Sequence, residues 1–183
     1  MLRGELTVLR ARRESDVDVL DSELHDDVLN RVRSDSRPWR PIPRGSAASP
    51  HRIPDGDAKD SAVFSVDELA SGELAGSCLL WNIDQHNRMA HIGIGLRPAY
   101  RGRGLGADVL QVLCRYGFDI LGLHRLQMET LADNEAMIKA ATRAGFTHEG
   151  TMRAAGWVNG AFLDEVTLGQ LDAEWYGRSA PPA

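Results

Sequence analysis

The sequence predicts an α/β domain built on one mixed sheet with helices packed against it. Several short segments alternate or cluster apolar residues as strands do, notably at 62–69, 74–81 and 125–131. A long segment, 105–121, is apolar at 105, 109, 112, 113, 116 and 120, the period of a helix buried over a wide face. The two kinds of element interleave in the order β-α-α, β-β-β, α-β-α-β-β, which requires both antiparallel and crossover connections.

Residues 5–11 (E-L-T-V-L-R-A) alternate and read as the first strand. Ser15 reads as an N-cap, with Asp16 and Asp18 in the first turn of a helix through Leu20 and Leu24. A second helix is expected from about Asp27 to Arg33. Residues 34–60 hold Pro38, Pro41, Pro43, Pro50 and Pro54 among serines, glycines and arginines, and read as a long flexible loop or flap. Strands follow at 62–69 and 74–81, joined by a turn at Ser71-Gly72, and at 90–96, where Pro98 stops the run. After the 105–121 helix, residues 125–131 alternate again. Residues 134–144 form an alanine-rich helix with Gly145 at its C-cap. Phe146 opens a strand, and Asn159-Gly160 is a hairpin turn into a final strand at 162–171. That makes about seven strands in a single domain, residues 1–177, with a loose tail at 178–183.

Composition bounds the function. Hydrophobic residues are 43 % and charged residues 26 % of 183, which is globular composition, and a chain of this length buries roughly 70 % of its unfolded surface without needing cross-links. The net charge of −5 argues against a general nucleic-acid binder. The longest apolar run, Cys78-Leu79-Leu80-Trp81, is far too short to span a bilayer, and no apolar signal segment follows Met1. Cys78 and Cys114 lack metal-ligand spacing and read as buried free thiols, so a cytoplasmic, reducing location is expected, with no metal.

The chemistry concentrates in Pro98–Gly106 (P-A-Y-R-G-R-G-L-G), between a strand and a helix. Gly102, Gly104 and Gly106 permit positive φ and close approach of backbone to a ligand. The amides of this turn and of the first helical residues would point outward, where the helix dipole adds about half a positive charge. Arg101 and Arg103 add charge beside this pyrophosphate cradle. A P-loop would need Gly-Lys-Ser/Thr, which is absent, and the G-x-G-x-G spacing is not the dinucleotide fingerprint.

Arg101-Gly102-Arg103-Gly104-Leu105-Gly106 resembles the acetyl-CoA loop of the GNAT superfamily, Arg/Gln-x-x-Gly-x-Gly/Ala. The resemblance extends to that superfamily's RimJ/RimL-like branch. Ala90-His91-Ile92-Gly93-Ile94 is similar to its A-E-I-G-Y strand, and Asn134 with Arg143-Ala144-Gly145-Phe146 to its Asn…Lys/Arg-x-Gly-Phe helix. Glu149-Gly150-Thr151-Met152-Arg153, Val158-Asn159-Gly160 and Asp164 resemble its usual ending.

This resemblance implies two central parallel strands that splay apart. Ile94, Gly95 and Leu96 would then pair with the pantetheine arm of acetyl-CoA. The pyrophosphate would rest on the amides of Arg103, Gly104, Leu105, Gly106 and Ala107, with Asn134 near the acetyl end and Arg143 reaching the ribose phosphate. Arg143 reads equally well as a cation favouring its own helix dipole. The implied activity is transfer of acetyl to a primary amine, either a peptide N-terminus or a small molecule, with no metal, nucleic acid or membrane involved. A homodimer is open, as is a non-catalytic acyl-CoA sensor or a transferase for another acyl group.

Acyl transfer needs a neutral amine, a polarised carbonyl and a proton for the thiolate. His91 replaces the branch's frequent glutamate and is the candidate catalytic base, against the reading of a histidine bonded within the cleft wall. Asp84 and His86 are weaker substitutes. The family's proton donors are missing, since Ala141 and Met137 stand at those positions, which leaves Tyr100, another group or water. Trp39, Arg40, Arg44, His51 and Arg52 on the long loop, Trp157 by the hairpin, and Glu129 opposite His91 are candidates for the acceptor side.

Overall fold

The computed structural model describes residues 1–34, 37–43, 46–53, 56 and 58–179. In chain order the elements are β1 (Leu2–Arg3), β2 (Thr7–Arg10), α1 (Glu14–Leu20), α2 (Val28–Ser34), β3 (Ser61–Glu68), β4 (Leu74–Asp84), β5 (Met89–Leu96), α3 (Leu105–Arg115), β6 (Arg125–Leu131), α4 (Glu135–Ala144), β7 (Thr147–Val158), β8 (Ala161–Leu171) and α5 (Asp172–Ser179). Single π-helical turns prolong α1 (Asp21–His25) and α3 (Tyr116–Ile120). The eight strands form one sheet in the order β1-β2-β3-β4-β5-β6-β8-β7. Every neighbouring pair is antiparallel except β5 and β6.

The main core lies between the sheet and α3, with α4 beside it. Leu105, Val109, Leu110, Val112 and Leu113 of α3 are buried against Leu9, Val66, Cys78, Leu80, Ala90, Ile92 and Leu126 of the strands, while Ala141 and Ala144 let α4 approach closely. The wide apolar stripe of α3 is thus the face the sequence predicts. Cys78 and Cys114 are buried free thiols.

Four details depart from the sequence reading. An eighth strand, β1, pairs with β2, and residues 5 and 6 turn between them rather than extending the strand. Ser15 is not the N-cap: α1 starts at Glu14 with Arg13 at the cap, and the Asp16 carboxylate accepts from the Arg13 amide at 2.8 Å. β7 opens at Thr147, after the Gly145 left-handed cap, instead of at Phe146. α5 carries the helix through Ser179, two residues into the expected loose tail of 178–183, and is anchored where Trp175 donates to Asp119 and Tyr176 donates to the Phe118 carbonyl; residues 180–183 lie outside the described residues.

Three carboxylates hold the fold around the future site. Asp108, in the first turns of α3, accepts from the amides of Glu5 and Leu6 and from Thr7 Oγ1 at 2.8, 3.1 and 2.6 Å. A Cβ at position 4 would lie 2.2 Å from that carboxylate, so any larger residue there would have to displace it from these hydrogen bonds. On the opposite face of the sheet Arg10 bridges Asp16 and Asp67, at 2.6 Å to each, and Ser65 also donates to Asp16. Burial alone would raise the Asp16 carboxyl, but hydrogen bonds from Arg10, Arg13 and Ser65 overcome it and hold the group at about 2.

A carboxyl depressed in this way stabilises the fold above its ordinary titration range and loses that contribution as pH falls toward 2. Urea titrations should lose about 2 kcal/mol of stability from this group between pH 4 and pH 2. Asp16→Asn should be less stable at pH 7 and flatter across that window.

Candidate active site

The sheet opens in the middle. β5 and β6 pair in parallel only at Met89–Arg125, Ala90–Leu126 and His91–Gln127. Beyond His91, β5 stays with β4 as far as Leu96 and β6 stays with β8 as far as Leu131. The facing edges of residues 92–96 and 128–131 therefore border a cleft, and Ile94, Gly95 and Leu96 lie along it.

The glycine turn closes the end of this cleft. A short 3-10 turn, Pro98–Tyr100, leads to Gly102 and Gly104 at φ +71° and +81°, and Gly104 is the N-cap of α3. Its carbonyl accepts the amides of Ala107 and Asp108, at 3.1 and 3.3 Å. The amides of Leu105 and Gly106 have no partner inside the helix and point out of its N-terminus. Gly106 faces Leu96, with a Cβ position 3.8 Å from Leu96 Cδ1, so the cradle and the exit of β5 adjoin.

The arginines of the turn are differently employed. Arg101 donates Nε to the Leu96 carbonyl at 2.9 Å, clamping the end of β5. Arg103 reaches back to Glu68 at 2.6 Å, and that carboxylate offsets its charge. The Ala107 amide, spent on Gly104, is a weaker cradle donor than the sequence implies. The buried Tyr100 hydroxyl is engaged by Glu73, to which it donates at 2.6 Å beneath the β3–β4 turn.

Asn134 caps α4. Its Oδ1 accepts from the Met137 amide at 3.3 Å and its Nδ2 donates to Thr130 Oγ1 at 2.9 Å. Ala141 is fully buried and Met137 packs against the core, so neither reaches the cleft as a donor. Arg143 is exposed in the last turn of α4.

His91 lies where the strands part. Its ring sits 4.4 Å from the ring of Trp81, and Nδ1 lies 3.2 Å from Glu129 Oε2. Glu129 also accepts from Gln127, whose amide oxygen accepts from Arg125, which pairs with Glu149. With Nδ1–H given to Glu129, the Nε2 lone pair is the one available to a proton. Glu129 thus orients His91, a role its strand position did not disclose.

The same face carries the long loop. The His25 and Trp39 rings stack 6.0 Å apart, Trp39 donates Nε1 to the His25 carbonyl, and His25 Nε2 lies 3.1 Å from the Arg40 carbonyl. Ser49 Oγ and His51 Nδ1 both meet the buried Asp21 carboxylate, at 2.7 and 2.9 Å. Burial pushes His51 down to about 4 despite that carboxylate. Trp39 and His51 are thus packing and anchoring residues, and Arg44 lies outside the described residues. Trp157 packs edge-on against Phe162 on the β7–β8 hairpin. Asp84 caps its own turn by accepting from His86 and Asn87.

A mixed sheet that splays at its one parallel pair and ends on a helix N-terminus defines an acetyltransferase type of fold. Residues 7–147 match the acetyltransferase (GNAT) domain model, and the chain belongs to that family. Among curated relatives, YdaF of Bacillus subtilis strain 168, provisionally named a ribosomal N-acetyltransferase, is 35 % identical over 109 residues, 60 % of each chain. Spermidine N(1)-acetyltransferase of Escherichia coli K12 is 30 % identical over 97 residues, 53 % of this chain and 52 % of that protein. The chain thus matches little more than half the length of these relatives. The crystal structure of the Vibrio cholerae spermidine N-acetyltransferase in complex with CoA and spermine superposes with a TM-score of 0.76 over 93 % of this chain and 98 % of that one, at 22 % identity. These relationships fit the RimJ/RimL-like branch.

Alanine at a φ of +81° costs about 1–2 kcal/mol, equivalent to roughly 2–4 °C of melting temperature per kcal/mol in a chain of this size. Gly104→Ala should melt correspondingly lower by calorimetry. Gly106→Ala, which meets only ordinary contact with Leu96, should melt no lower than the parent.

Proposed function

We propose that the protein transfers an acetyl group from acetyl-CoA to a primary amine, directly, within a ternary complex. The observation that carries this reading is the unpaired edge of β5 running from His91 to the glycine turn at the start of α3. Family membership supports the cofactor, and the cleft supplies backbone groups for its amide-bearing arm. Ile94, Gly95 and Leu96 would hold the pantetheine. The amides from Arg103 to Gly106 would take the diphosphate, with Ala107 contributing less, and Arg101, Asn134 and Arg143 would lie along the cofactor's course. The acceptor would be a peptide N-terminus or a small amine.

The amine nitrogen attacks the thioester carbonyl carbon while His91 Nε2 takes its proton, and Glu129 stabilises the resulting imidazolium. The tetrahedral oxyanion is met by strand amides at the cleft edge. The carbon–sulfur bond then breaks, the electron pair leaves on sulfur, and the thiolate is protonated from solvent or remains as the anion. Loss of a dedicated acid is tolerable because thiolate is a good leaving group.

A second reading, an acyl-CoA sensor without turnover, is favoured by the packing of Ala141 and Met137 and by the engagement of Tyr100 with Glu73. Two measurements separate these. Calorimetry should show CoA binding, and Ala107→Glu should weaken it at least 10-fold with the melting temperature held, because a carboxylate suits a helix N-terminus but repels a diphosphate. Thiol release from acetyl-CoA over an amine panel should then fall by 10²–10⁴-fold in His91→Ala, the usual contribution of a general base. CoA binding with no turnover, and no effect of His91→Ala, would establish the sensor.

A further inference from the structure

The register across the sheet places a second polar site on the same face as His91. His91 pairs with Trp81, and Trp81 with Ser61, so the three stand in a row across β5, β4 and β3. Trp81 is 43 % exposed and forms an open aromatic floor between the other two. At the far end of this row Ser61 and Val63 line a cavity of about 230 Å³, together with Arg12, Ser49 and Arg52. Two strand spacings separate it from His91, roughly 10 Å.

Arg12 is an unusual lining residue. It is only 7 % exposed, yet among the described residues no carboxylate contacts its guanidinium. Its Nη2 donates to Ser77 Oγ at 2.5 Å and more weakly to the Phe64 carbonyl at 3.4 Å, and its Nε–H has no partner among the described residues. Asp16 and Asp21 are near enough to temper its charge, but Asp16 is occupied by Arg10 and Ser65, and Asp21 by Ser49 and His51. A buried cation lacking a direct counter-ion is costly unless something anionic meets it. Arg52 brings a second guanidinium to the same cavity, and guanidinium forks match carboxylates in geometry as well as charge.

We propose that the acceptor is an amine carrying a carboxylate about 10 Å from its reacting nitrogen, with the carboxylate seated in the Arg12–Arg52 cavity and the intervening chain lying over Trp81. This rests on the transferase reading above and narrows its substrate. An extended peptide covers roughly 3.3–3.6 Å per residue, so an N-terminal amine at His91 places an acidic side chain from the second or third residue in the cavity. A polyamine would put a cation there and be repelled.

The test compares three acceptors under saturating acetyl-CoA, read as thiol release: Ser-Ala-Glu amide, Ser-Ala-Gln amide and spermidine. The glutamate peptide should exceed both others in kcat/KM by at least 10-fold. Arg52→Glu should remove that preference, read as the ratio of kcat/KM between the two peptides, and Arg12→Gln should do the same if it folds. Equal use of the two peptides, preference for spermidine, retained discrimination in Arg52→Glu, or turnover of none of the three despite bound CoA would each overturn the proposal. Absence of CoA binding by calorimetry would instead remove the transferase reading beneath it.

Discussion

A strand that leaves its neighbour in mid-sheet exposes a row of amide and carbonyl groups to whatever fills the gap, and the surrounding structure must keep those groups from finding each other. Here β5 is held to β4 by antiparallel pairing that continues past the point of divergence, and the Arg97 amide extends it by donating to Ala75. Arg97 also bonds Glu23 and the Leu74 carbonyl, pinning the strand exit to the α1 extension. On the other side β6 is committed to β8 over its whole length, and Arg33 ties α2 to Asp133 beyond it. Gly76 permits the closest approach, since a Cβ there would lie 2.3 Å from the Gly95 carbonyl. The cleft, the orientation of His91 and the meeting of Leu96 with Gly106 all follow from this arrangement.

The elements legible in the sequence were those with a local cause. The 105–121 period reads as a buried helix because a wide apolar stripe can face only a core, and Gly145 and Asn159-Gly160 read correctly because their backbones need positive φ. The glycine turn was legible for the same reason. What escaped depended on distant partners. Two-residue β1 has no pattern of its own and exists only by pairing with β2. Arg13 stands at the helix start in place of Ser15, with Asp16 accepting from its amide and held as well by Arg10 and by Ser65, the latter 49 positions away in sequence. Tyr100 sits inside the motif yet turns to Glu73, and the link between Glu129 and His91 appears only once β5 and β6 are placed side by side.

Electrostatics divide the acceptor face. Near the parting of the strands Glu129 faces His91 and favours an approaching amine, while Gln127 and Arg125 link it back to Glu149 on β7. Two strands away the guanidinium groups of Arg12 and Arg52 line a separate cavity. Ser49 and His51 bring residues 46–53 of the long loop onto Asp21, so that segment is a wall of this face rather than a free flap. His51 stays neutral there at physiological pH, which keeps the anchoring contact from adding another buried charge beside Arg12.

The grip of Asp108 on Glu5, Leu6 and Thr7 spans more than a hundred positions, 103 in the longest case. During synthesis on the ribosome the leading segment must therefore wait, unsatisfied, until most of the chain has emerged before it can dock. The core shares this condition, because Leu9 of β2 joins the same cluster as the buried face of α3, so one docking event completes both the helix start and its apolar face.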